Sequence, residues 1–234
     1  MTNMATTQVL MAATNRKGYR GEPGRPGSTL EVNLLNAPTS GTDWEDSSRY
    51  HRTAGIQGTF SYTNNGSKNG IVLAVSGNAF INSNYNLNLG FWTMEIVASF
   101  NPSAYWACPW ANENLNNSSG YFAYFTDGST LNVGTHNGVD TFSVTNTTDV
   151  NHWVFTLDSG AVKLYQNSNL ITASNIAYAA PNSVGVDGLH FGARQQGTLD
   201  YCPGTYYEMR VYDYAISQEE VNNSFNSLKD NYGL

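Results

Sequence analysis

The sequence predicts an all-β domain of sandwich or jelly-roll type, closed by one short C-terminal helix and preceded by an extended N-terminal arm. Three observations predict it. From Leu30 onward, short apolar runs alternate with turn signals such as NNGSKNG, TDGS, HNGVD and DSGA. Within the runs, apolar residues recur at period 2, the mark of a strand with one buried side. Only one segment, near the C-terminus, carries helical periodicity. A chain of 234 residues suits one large β domain, and its 40% apolar content can fill a sizeable core.

In chain order, residues 1–29 lack periodicity and read as an arm. Within it, GYRGEPGRPG places Gly18, Gly21, Gly24 and Gly27 at every third position. A collagen helix needs this spacing because only glycine fits at the axis of three chains. At ~3.1 Å per residue the stretch spans roughly 28 Å, too short to hold three chains by itself. It is therefore a linker, or the neck of a homotrimer held together elsewhere. DWEDSS, with Asp43 and Asp46, reads as a loop before the second strand. FWTMEIVASF sets Trp92, Met94, Ile96, Ala98 and Phe100 on one face. HWVFTLDSGAVKLYQNSNLI reads as two or three strands: Trp153, Phe155 and Leu157 face inward, a turn falls at Asp158–Gly160, and Val162 and Leu164 return. In SQEEVNNSFNSLK, Ser217 and Glu220 have capping-box spacing, and Val221, Phe225 and Leu228 form the docking face.

Composition excludes several function classes. The net charge of −7 argues against nucleic-acid binding, which needs a basic face. No apolar run is long enough to span a membrane. MTNMATTQVLMAATNRK lacks the basic start of a signal peptide, so synthesis in a cytosol without an export signal is expected. Charged residues are only 12%, and Asn, Ser, Thr, Gly and Tyr take their place, which suits short-range hydrogen-bonding contacts. Cys108 and Cys202 each precede a proline, which places both at loop starts; cytosolic synthesis favours free thiols over a pair.

Four segments, in order, resemble the laminin-G-like branch of the concanavalin A-like lectin/glucanase superfamily. They are DSSRYHRTAG…NGIVLAVSGNAFI, FWTMEIVASFNPS, HWVFTLDSGAVKLYQNSNLI and LHFGARQQG…GTYYEMRVYDYAISQEEV. The first is similar to an Asp-Ser-Ser-Gly-type turn with its following strand, the third to a Trp-centred hairpin, and the last to the final strand and capping helix. The resemblance implies two antiparallel sheets packed as a jelly roll over 30–234. It also implies carbohydrate or protein binding, and in some members a calcium ion.

Candidate sites follow. Retaining glycosidases need two carboxylates about 5 Å apart. In this superfamily they share one strand; here Glu95 stands alone on its strand, while Glu208 and Asp213 read as belonging to a different edge, so no catalytic residue is assigned. The histidines His51, His136, His152 and His190 show no ligand spacing. Asp43 and Asp46 are the weak candidates for a calcium site, which needs six or more oxygens; no other cofactor is expected. YWACPWANENLNN offers Tyr105, Trp106 and Trp110 as sugar platforms and Asn112, Asn114 and Asn117 as hydroxyl partners. The bland alternative buries Trp106 in the core and sets Trp110 as a plug at the rim.

A lectin-like head, an arm that reaches for a partner and no export signal are joined by one reading. The chain resembles bacteriophage fibre and decoration proteins, which implies a non-enzymatic protein of the virion surface. The arm would dock on other virion proteins and the head would bind host or environmental glycan. The alternatives are a free-standing lectin module and a divergent glucanase.

Overall fold

In the computed structural model, the described residues are 30–66, 68–74, 76–102, 106–113, 119–183, 185, 188–194 and 200–234. The triplet glycines of the arm, Tyr105, Asn114 and Asn117 lie outside them. Two sheets pack face to face. The first has eight strands. Its order is β14 (Asn169–Ile171), β13 (Ala161–Gln166), β12 (Asn151–Asp158), β7 (Phe91–Phe100), β17 (Gly204–Tyr212), β5 (Lys68–Leu73) and β4 (Phe60–Asn65), with β1 (Leu30–Leu34) also pairing to β17. The second has nine strands. Its order is β15 (Ala173–Asn175), β11 (Gly138–Ser143), β10 (Thr130–Thr135), β9 (Gly120–Phe125), β8 (Ala107–Glu113), β16 (His190–Phe191), β6 (Phe80–Asn82), β3 (Thr53–Gln57) and β2 (Asp43–Glu45). Neighbouring strands run antiparallel, as in β12 against β7 and β8 against β9.

The expected hairpin at Asp158 is present. Asp158 pairs with Ala161, and the two turn residues, Ser159 and Gly160, have φ of 50° and 89°. Both central residues at positive φ match the right-handed twist of the flanking strands. The core lies between the sheets. Trp44, Trp92, Trp110, Trp153, Phe100 and Phe155 are fully buried there. The inward set expected on β7, namely Trp92, Met94, Ile96, Ala98 and Phe100, belongs to this core.

The single described helix, α1 (Gln218–Tyr232), begins with the expected capping box. The Ser217 side chain accepts from the Glu220 N–H, and the Glu220 carboxylate accepts from the Ser217 N–H. Val221, Leu228 and Tyr232 form its buried stripe, with Phe225 half-buried beside them. The helix lies over the outer face of the eight-stranded sheet, against Val154 and Tyr165 at one end and Val97 and Tyr207 at the other. This corrects one expectation. β7 is not buried on one side only: Thr93, Glu95 and Val97 on its outer face are buried too, because α1 and the segment leading into it cover them.

Cys108 also departs from expectation. It lies inside β8 rather than at a loop start, whereas Cys202 does sit in the segment before β17. Both are buried free thiols, and burial raises both pKa values, so neither is a thiolate at neutral pH.

Candidate functional site

The two outer faces of the sandwich differ. On the eight-stranded sheet, pairing of β7 with β17 brings Glu95 and Glu208 together, although the sequence separates them onto different apparent edges. Arg210 stands between them, donating to Glu95 at 2.9 Å and to Glu208 at 2.6 Å. His152, Tyr212 and Ser224 complete the shell of Glu95, while Tyr232 and Lys68 complete that of Glu208. Burial pushes the Glu95 pKa up. The charge of Arg210, with His152 and Ser224, more than offsets this and holds the carboxyl well below the usual carboxylate range. The carboxylates are 1% and 4% exposed, under α1, so no polysaccharide reaches them. This is a buried ionic seam that docks the helix.

The nine-stranded sheet carries no helix on its outer face among the described residues. That face is nonetheless aromatic. β9 alternates Tyr121, Ala123 and Phe125 inward with Phe122 and Tyr124 outward. Trp106, partly exposed, stacks on Tyr124 with ring centroids 4.2 Å apart and planes 22° from parallel. Arg194 lies 4.7 Å over the Phe122 ring and 5.6 Å from that of Trp106. Its guanidinium pairs with buried Glu113, with Asp200 at 3.3 Å and with His136 at 3.1 Å. His136 in turn meets Glu113 at 2.7 Å. Burial raises the Asp200 carboxyl pKa, and Arg194 opposes that rise.

The backbone at this patch is strained. Trp106 has φ of 71° and Asp200 has φ of 52°. Among the described residues, the other non-glycine positions in this region of backbone are Asn, Ser and His; Trp106 is the bulky exception. Such strain persists where the surroundings hold it, commonly at binding surfaces.

The sugar candidates are thus redistributed. Trp110 is not a platform. It is 0% exposed, edge-on to Trp92 at 5.4 Å and to Phe155 at 5.4 Å. Asn112 is also fully buried, its amide accepting from Leu87 N–H and donating to Asn86. Both expectations fail for one reason. A bulge between Ala107 and Trp110 shifts the phase of β8, so Trp106 and Trp110, four apart, face opposite ways. Pro109, with no N–H to donate, sits within the bulge. The partly exposed tryptophan is Trp106, which packs on the outer aromatic cluster and not in the core.

Sequence reasoning missed Phe122, Tyr124, Glu113, Arg194, His136 and Asp200. One signal was available: GYFAYF is aromatic on both faces, which a strand needs only when both faces are covered or used.

The metal candidates do not converge. Asp43 and Glu45 lie in β2 rather than in a loop, and Asp43 points to solvent. The Asp46 carboxylate is buried and accepts from Asn33 N–H, Ser48 N–H and Ser48 O–H, each at 2.8 Å. Its oxygens anchor a turn. No cluster of three metal-ligating acids, histidines or cysteines occurs among the described residues. Asp46→Ala should cost roughly 2–3 kcal/mol through the lost charged hydrogen bonds. Calcium should leave the melting temperature of the wild-type protein unchanged; a calcium-dependent rise lost in Asp46→Ala would show a bound ion instead.

Three solved structures illustrate what the fold is similar to. A botulinum neurotoxin type G receptor-binding domain is 13% identical at a TM-score of 0.61, covering 85% of this chain and 51% of that one. A botulinum neurotoxin DC binding domain, solved with rat synaptotagmin II, is 13% identical at 0.59, covering 85% and 51%. A structure from work describing neurotoxin type C cell entry as dependent on two ganglioside molecules is 15% identical at 0.59, covering 93% and 53%. This chain spans about half the length of each. At such identities the likeness is one of fold. No curated protein matches by sequence. Residues 97–222, more than half of the chain and reaching from β7 into α1, match the laminin-G-type pattern, and the chain therefore belongs to the concanavalin A-like lectin/glucanases superfamily.

Proposed function

We propose that this protein is a non-enzymatic adhesion protein whose sandwich binds glycan on the outer face of the nine-stranded sheet. The observation that carries this is the partly exposed Trp106 ring, held on Tyr124 in a strained backbone on a face no described helix covers. An aromatic platform takes the apolar face of a pyranose, and polar groups at its margin take the hydroxyls. Against catalysis stands the burial of Glu95 and Glu208 with an arginine between them. The finer reading is a virion-surface protein, with the arm docked on other virion proteins. The arm differs from the head in charge as well as in repeat: Arg16, Lys17, Arg20 and Arg25 stand against Glu22 alone. This suits docking on an acidic protein surface. The triplet glycines would serve there as a spacer, or as a trimeric neck.

A glycan array probed with the full chain tests the central claim. Binding to at least one glycan class is expected, with no reducing sugar released from β-glucans. Release of reducing sugar would restore the glucanase reading, and silence across the array would remove adhesion. Detection of the chain in purified phage particles tests the virion reading separately.

A further inference from the structure

We infer that the Trp106 face selects neutral glycans and rejects their anionic counterparts. This rests on the adhesion reading above and adds the ligand class. The charge around the platform carries the inference. Arg194 is the one cation among the described residues of the patch, and each of its three nitrogens already faces a partner: Glu113, Asp200 and His136. Two carboxylates thus surround one guanidinium. Asp200, with its side chain 28% exposed, is the acid that meets solvent. A carboxylate accepts hydroxyl donors from a neutral sugar and repels a sialic acid, uronate or sulfate.

Beside Arg194 and the imidazole of His136, the patch has no lysine or further arginine among the described residues. The strands of the patch, β8 to β11, contain no lysine or arginine. Arg52, Lys68 and Arg210 are each paired to a glutamate elsewhere. The sequence stretches that adjoin the patch residues, Ser-Ala-Tyr at 103–105, Asn-Leu-Asn-Asn-Ser at 114–118 and Gln-Gln-Gly-Thr-Leu at 195–199, contain no charge of either sign. From Leu30 onward the chain holds seven basic residues against seventeen acidic ones, so the long-range field repels anions too.

The test uses matched immobilised probes, lactose with sialyllactose and xylotetraose with its glucuronate-substituted form, alongside a broad neutral array. The full chain is measured at about 20 mM and about 300 mM salt, where screening differs several-fold in range. The bound neutral probe should exceed its acidic counterpart by at least about tenfold at low salt, the equivalent of one decade in Kd. The gap should narrow at high salt. Asp200→Asn, tolerated at positive φ, should narrow it as well. Trp106→Ala should remove binding to the neutral probe. Equal or tighter binding of the acidic member overturns the inference and leaves adhesion standing. So does neutral binding that survives Trp106→Ala. Binding to no probe at all ends both.

Discussion

Replacing Arg210 with methionine should destabilise the domain by roughly 3–5 kcal/mol, the cost of leaving buried charge without its partner. Arg210 is 15% exposed and holds two carboxylates, Glu95 and Glu208, that are 1% and 5% exposed at their side chains. Methionine fills much of the same volume, so packing loss is a minor share. The charge term makes a further demand. Glu95 has its pKa lowered in the folded state, so its stabilising contribution is present above the unfolded value of about 4.3 and is lost as pH falls through the folded value. In Arg210→Met the same carboxyl is buried without its counter-charge, and protonation relieves it. The stability gap between the two proteins should therefore shrink between about pH 7 and about pH 4. Denaturant unfolding at the two pH values measures it. An equal gap at both would show that Arg210 acts through packing. The double substitution Glu95→Gln with Arg210→Met should recover part of the loss, because it removes both members of the pair.

This seam also marks how far the sequence could be read. Strands β7, β12 and β13, the turn at Asp158–Gly160 and the capped helix were legible because each is a local pattern: alternation, an Asp-Ser-Gly turn signal, or a three-residue spacing. The partners of Glu95 were not legible. His152 lies 57 residues away and Arg210 lies 115 away, and only strand pairing brings them together. For the same reason Glu95 and Glu208 seemed to belong to different edges. The second buried face of β7 was hidden because α1 and the segment leading into it, at the far end of the chain, cover it. The site fared similarly. The sequence singles out the stretch that contains Trp106, the platform of the proposed function, because tryptophan and asparagine are dense there. The choice between its two tryptophans depended on a bulge at Cys108–Pro109, and a bulge changes the face of every residue after it without changing composition.

That choice sets the contrast with the largest consequence for function. Trp110→Ala should cost about 3–5 kcal/mol, because it opens a cavity between Trp92 and Phe155 that those large rings cannot close. Trp110→Phe should be far milder. It retains the aromatic contacts, and the indole N–H it removes is buried with no hydrogen-bond partner among the described residues. Trp110→Phe should also bind glycan as the wild type does, which keeps the claim testable if the alanine variant does not fold. Trp106→Ala should behave in the opposite way. It gives up a stacked pair worth about 1 kcal/mol and should leave the fold intact, while glycan binding falls below detection. Thermal melts and array binding on the three variants decide the matter. Loss of binding in a well-folded Trp110→Phe, together with wild-type binding in Trp106→Ala, would move the site away from this face. A platform residue is one whose removal separates binding from stability, and under the proposed function that behaviour falls to Trp106, because the bulge that turns Trp110 into the core leaves Trp106 outside it.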